Sequence, residues 1–168
     1  MSSAKVSAVF TSPSPSADTN ADETAGQAGT ARAPQASASS SGPALKILVL
    51  DDNRDAADTC AMFLQFSGHC VQTAYAGYQA LEVAASFHPH AILADISLPD
   101  LDGYQLARAI RATTWGRSSM LIAVTGWVGQ KDREQALEAG FDHHFAKPLD
   151  LDRIESLLHE RAGMEAMR

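Results

Sequence analysis

Three acids, one hydroxyl and one ammonium stand at equivalent places along this 168-residue chain. Asp51 and Asp52 close the apolar run Lys46-Ile-Leu-Val-Leu50, and Asp95 closes the run that starts at His90. Thr125 follows Met120 to Val124, and Lys147 follows His143 to Ala146. Carboxylates about 4 Å apart repel by about 4 kcal/mol at an effective dielectric of about 20, so three gathered together need a cation. A hard divalent ion with oxygen ligands fits, Mg2+ above all. Such an ion leaves one carboxylate oxygen free as a nucleophile and neutralises an incoming phosphoryl group. The lysine and the threonine would hold the remaining phosphoryl oxygens, since phosphoryl transfer asks for charge stabilisation more than covalent help.

The elements that must bring these residues together are legible as an alternation. Lys46 to Leu50 reads as a strand buried on both faces, because it is apolar without interruption. Asn53 caps a helix running to about Ser67, with Ala57, Cys60, Ala61 and Leu64 at one-face spacing. Gly68 stops that helix, and Cys70 to Ala74 is a second strand. A helix from Tyr78 to about Phe87, a strand from His90 to Ile96 and a helix from about Gly103 to Thr113 follow. Met120 to Val124 is the fourth strand, and about Gln130 to Ala139 the fourth helix. His143 to Ala146 is the fifth strand, and a helix from Asp150 or Leu151 to about Arg161 ends the pattern. Strand–helix alternation with short connections requires parallel strands, right-handed crossovers and helices on both sheet faces. In such sheets the crevice lies at the carboxyl ends of the strands, which is where the five residues fall.

The stretches Lys46-Ile-Leu-Val-Leu-Asp-Asp-Asn53, Asp95-Ile-Ser-Leu-Pro-Asp-Leu-Asp-Gly103, Val124-Thr-Gly126 and Phe145-Ala-Lys-Pro148 resemble the response-regulator receiver domain of two-component signalling. The resemblance runs in order through Leu45 to Arg161. It is especially similar to receivers attached to hybrid sensor kinases, through Thr125-Gly-Trp127 and Ala139-Gly-Phe-Asp-His-His144. It implies an α/β, doubly wound, flavodoxin-like sheet of five parallel strands in the order 2-1-3-4-5. It further implies that Asp95 accepts a phosphoryl group from a phosphohistidine on a histidine kinase or a histidine phosphotransfer protein. Asp52 would ligate Mg2+ directly, Asp51 mainly through water, with Asp95 and the Ser97 backbone carbonyl completing the protein ligands. Thr125 and Lys147 would contact the phosphoryl group, and the Lys147–Pro148 peptide would be cis. An aromatic residue three before the lysine changes rotamer in the family's switch; here that position is His144, a smaller and titratable ring.

Other residues receive plainer readings. Asp100 and Asp102 form an Asp-x-Asp, but Asp102 before Gly103 reads as a helix N-cap, and Gly103 as a position of close packing. His143 and His144 face opposite sides of a strand and cannot easily share a metal. His69, His88, His90 and His159 are scattered and take no ligand role. Cys60 and Cys70 read as reduced packing residues. Trp127 and the Ser97 side chain stand at the pocket mouth, where they are expected to influence dephosphorylation.

Composition sets the frame. Of residues 1–44, 32 are Ser, Ala, Thr, Pro or Gly, a composition that cannot bury enough surface to offset backbone entropy. That stretch is expected to be a disordered extension, with Val6 to Phe10 its one candidate docking motif. Residues 45–162 would form the receiver and 163–168 a short tail, leaving a stand-alone receiver without an output domain. The net charge of −7 comes without a basic patch, which argues against a nucleic-acid partner. No apolar run is long enough to span a bilayer and no secretory signal is evident, so a cytoplasmic protein is expected. Phosphorylation is expected to act on a downstream protein partner through the face of helix four, strand five and helix five, in a monomer or a phosphorylation-dependent dimer. The competing class is a phosphohydrolase with an aspartate nucleophile on a similar sheet.

Overall fold

The computed structural model describes residues 43–126 and 129–167. Most of the N-terminal extension, with the Val6–Phe10 stretch, and Trp127 lie outside the described residues. The strands are β1 (Lys46–Leu50), β2 (Cys70–Ala74), β3 (Ala91–Asp95), β4 (Met120–Thr125) and β5 (His143–Ala146). The helices are α1 (Arg54–Phe66), α2 (Gly77–Phe87), α3 (Gly103–Ala112), α4 (Gln130–Ala139) and α5 (Leu151–Ala166). All strand pairs are parallel, in the order β2-β1-β3-β4-β5. This is the expected doubly wound architecture.

Side-chain alternation divides the core between the two sheet faces. Leu48, Leu50, Ile92, Ala94, Leu121 and Ala123 pack with Ala80 and Ala84 of α2, Leu106 and Ile110 of α3 and Ala136 of α4. The intervening Ile47, Val49, Leu93, Ile122 and Val124 pack with Cys60 and Leu64 of α1 and with Ile154 and Leu158 of α5. Each fully buried Leu, Ile or Val contributes about 1.5–3 kcal/mol, so the central strands are held on both sides. A one-residue slip would exchange the two sets, which fixes the register. That register pairs Leu50 with Ala94, Asp95 with Val124 and Thr125 with Ala146. The residues that follow or end these strands therefore step across one edge of the sheet.

Helix starts follow local chemistry. Asn53 accepts a hydrogen bond from the Ala56 amide at 3.2 Å, and Asp102 accepts one from Tyr104 at 3.1 Å. The close packing expected of Gly103 is present, since a Cβ there would lie 2.7 Å from the Ile96 Cα. Two expectations need correction. The last helix continues past Arg161 to Ala166, because Ile154, Leu158 and Ala162 extend one buried stripe at four-residue steps; most of the supposed tail is thus helical. Cys70 does not pack: it is exposed at the head of the edge strand, whereas Cys60 is buried.

Candidate functional site

Asp51, Asp95, Thr125 and Lys147 converge at the carboxyl ends of β1, β3, β4 and β5. Asp51, Asp95 and Thr125 are 7%, 4% and 4% exposed, while Asp52 faces solvent. The Lys147 ammonium donates to Asp51 Oδ2 at 2.7 Å and to Asp95 Oδ2 at 2.8 Å. The other oxygen of each carboxylate is held by the backbone two residues ahead. The Asn53 amide donates to Asp51 Oδ1 and the Ser97 amide to Asp95 Oδ1, both at 2.9 Å. Asp51, Asp52 and Asp95 each present an oxygen within 4.8 Å of the others.

The electrostatics follow from this arrangement. Burial pulls the Lys147 pKa down, but its hydrogen bonds to Asp51 and Asp95, with their charges, more than reverse that, and the ammonium titrates above the ordinary lysine value. One ammonium against three carboxylates leaves two negative charges, which one divalent cation would neutralise. The donor set is all oxygen, which suits a hard ion such as Mg2+ and not a thiolate- or imidazole-seeking metal. Cys60, below Asp51 in an apolar cleft of about 430 Å³ between α1 and the β5–α5 turn, adds no nucleophile. Burial, then the Asp51 charge, pushes its thiol up to about 11.

Every expected pocket residue within the described part lies at this edge or on a strand leading to it. The Lys147–Pro148 peptide is cis. Ser97 is exposed in the β3–α3 loop. His144 is half-buried on β5, paired with Ala123, and its Nε2 is buried with no hydrogen-bond partner among the described residues. Burial, then the charge of Arg133, lowers its pKa against the opposing pull of Asp132.

Sequence reasoning missed two supports of the site and one of the opposite sheet edge. Asp100 binds the amides that start α2, with Oδ1 2.9 Å from Gly77 N and Oδ2 3.1 Å from Tyr78 N. Tyr75, just after β2, donates to Asp58 at 2.7 Å and carries the Arg54 guanidinium 4.2 Å above its ring. Arg111 joins the carbonyls of Gly116, Ser119 and Gly140 to the Asp142 carboxylate. Only Asp100 left a trace, as half of the Asp-x-Asp.

A parallel 2-1-3-4-5 sheet with an acidic triad and a lysine at its carboxyl edge defines a class, and the chain belongs to it: the model of the response regulator receiver domain family matches residues 47–159. The response regulator MprA of Mycobacterium ulcerans (strain Agy99) is 34% identical over 110 residues, which is 66% of this chain and 47% of that protein. This chain therefore spans about half the length of the curated relatives it matches. Among solved structures, the receiver domain of sensor histidine kinase PA1611 of Pseudomonas aeruginosa PAO1 is 35% identical, with a TM-score of 0.66 over 72% of this chain and 99% of that one. It is described with a magnesium ion in its active-site cleft. The chemotaxis response regulator CheY4 of Vibrio cholerae, 21% identical, has a TM-score of 0.66 over 71% of this chain and 99% of its own, and shares the fold.

Proposed function

We propose that this receiver takes a phosphoryl group onto Asp95 from the phosphohistidine of a histidine kinase or a histidine phosphotransfer protein. The observation that carries the reading is the Lys147 ammonium bridging Asp51 and Asp95 at the centre of a carboxylate triad that needs a divalent cation. Asp51, Asp52, Asp95 and the Ser97 carbonyl would hold Mg2+, which when bound supplies positive charge to the phosphoryl oxygens. The Asp95 carboxylate forms the new P–O bond as the P–N bond to the donor imidazole breaks, and the electron pair leaves on that nitrogen. Asp95 lies on a rigid buried strand, with one oxygen fixed by the Ser97 amide, so the carboxylate is held in place before the donor arrives. Lys147 loses its Asp95 contact to the incoming group and keeps Asp51, while the Thr125 hydroxyl takes another phosphoryl oxygen.

The modified Asp95 carries about −1.5 to −2 charges in place of the single carboxylate charge, and presents three phosphoryl acceptor oxygens. That change would act on a downstream protein through the α4–β5–α5 face, with His144 as the side chain that responds on β5. The family is one of signalling proteins, and the proposed output is binding and not turnover.

Incubation of the full chain with Mg2+ and acetyl phosphate, followed by mass spectrometry, tests the assignment. One phosphoryl group on Asp95, absent in Asp95→Asn and in EDTA, is expected. Labelling that persists in Asp95→Asn, or sustained multiple turnover of a phosphorylated metabolite, would overturn it and favour a phosphohydrolase.

A further inference from the structure

The α2 helix begins without a cap of its own. Ala76 occupies the N-cap position and its side chain has no oxygen to offer the first amides. Those amides are met from elsewhere in the chain, by both carboxylate oxygens of Asp100 in the β3–α3 loop. The same loop makes a second, apolar contact with the same turn. A Cβ at Gly77 would lie 2.6 Å from the Cβ of Leu101, so only glycine lets the loop sit this close. The hydrogen bonds from the Gly77 and Tyr78 amides hold the Asp100 carboxyl below its ordinary pKa, as expected when the charged form is the one engaged.

This loop also carries Ser97, whose amide holds Asp95. At its inner end it is folded by its own backbone, the amides of Leu98 and Gly103 both donating to the Ile96 carbonyl at 3.1 and 3.2 Å. At its outer end the side-chain fastenings to α2 are Asp100 and Leu101. Between these two ends stand the Ser97 amide and carbonyl, one on Asp95 and the other a metal ligand in the function proposed above.

We propose that Asp100 is a positioning residue for the phosphoryl site: by capping α2 from a distance it ties the β3–α3 loop down and sets the place of Ser97 against Asp95. Asp100 touches neither the carboxylate triad nor Lys147 in the contacts described, so its effect passes through the loop. The inference rests on the proposed function only for its metal arm; the tether itself is a property of the fold.

The experiment compares wild type, Asp100→Ala and Asp100→Asn as full chains, by amide hydrogen exchange without metal and by Mg2+ titration followed by NMR. Loss of a cap of this kind is worth up to about fivefold in an equilibrium constant. In Asp100→Ala, exchange at Gly77 and at Ser97 should accelerate by up to about that factor, while Ala56 under the Asn53 cap keeps its rate. Mg2+ affinity should fall about twofold to fivefold. Asparagine keeps one oxygen for the Gly77 amide and should restore most of both. Faster exchange at Gly77 with Ser97 unchanged would overturn the proposal, because α2 would then be capped without the loop being positioned. Unchanged Mg2+ affinity in Asp100→Ala beside a wild type that binds normally would overturn it as well. A wild type that binds no Mg2+ would instead refute the proposed function, and the exchange at Ser97 would still decide the tether.

Discussion

Replacing Asp52 by asparagine should make the metal-free protein more stable, although it removes a residue assigned to the site. Asp52 shares a 4.8 Å cluster with Asp51 and Asp95, and the ammonium of Lys147 is engaged with those two. At that separation and an effective dielectric of about 20, each like-charge pair costs about 3.5 kcal/mol. Asp52 is exposed, so solvent cuts each pair to at most about 1 kcal/mol, and relief of two pairs is worth about 1–2 kcal/mol. For a domain of this size that is a rise in Tm of about 3–8 °C. Magnesium should reverse the order. Ion at about 100 times its Kd stabilises the wild type by about 2.7 kcal/mol, while the variant, short of one carboxylate, gains less. Thermal melts of both proteins in EDTA and across a Mg2+ series would therefore cross. A variant that melts below wild type in EDTA, or that gains as much from Mg2+, would refute the reasoning that the triad is a charge cluster awaiting a cation.

Three further outcomes follow from the geometry. In Gly103→Ala the new Cβ meets backbone, at 2.7 Å from Ile96 Cα and 3.1 Å from the Asp95 carbonyl, which has no flexible end to yield. A loss of about 1–3 kcal/mol in urea unfolding and a weaker Mg2+ titration are expected; an unchanged midpoint would show that the loop moves freely. Arg111→Met strips donors from the carbonyls of Gly116, Ser119 and Gly140, and should cost about 2–3 kcal/mol. Arg111→Lys should recover little of it, since an ammonium cannot reproduce the guanidinium fork. His69 is buried and accepts the Leu45 amide on Nδ1, and burial, opposed by Glu155 and aided by His159, lowers its pKa. The unfolded chain therefore takes up a proton as pH falls through about 6.5 before the folded one does, and stability drops over that window. His69→Asn keeps an acceptor for Leu45, and its Tm should change less than that of wild type between about pH 7.5 and 5.5; parallel curves would exclude His69 as the cause.

What was legible in the sequence depended on how each contact is encoded. The central strands β1, β3 and β4 are apolar on both faces, so their ends are visible in the sequence, and the rule that chemistry sits at those ends places Asp51, Asp95 and Thr125; Lys147, after the edge strand β5, is placed by the strand–helix alternation. Their convergence then follows from register, which the two-faced core fixes. Cys70 went wrong for the complementary reason: an edge strand is half solvated, and its apolar letters do not guarantee burial. The end of α5 was missed because Ala162 carries the buried stripe with a residue too small to stand out as apolar pattern. Side chains that hold backbone were the least visible. Asp100 grips backbone amides 22 and 23 residues back, and Arg111 grips three carbonyls, partners that have no residue identity to read. Side chains that bind ions or phosphoryl groups announce themselves by type and spacing, whereas those that hold the backbone in place do so through groups every residue shares. The effect of Asp100 on Mg2+ binding would thus measure how much of the site's affinity resides outside the residues that a motif can name.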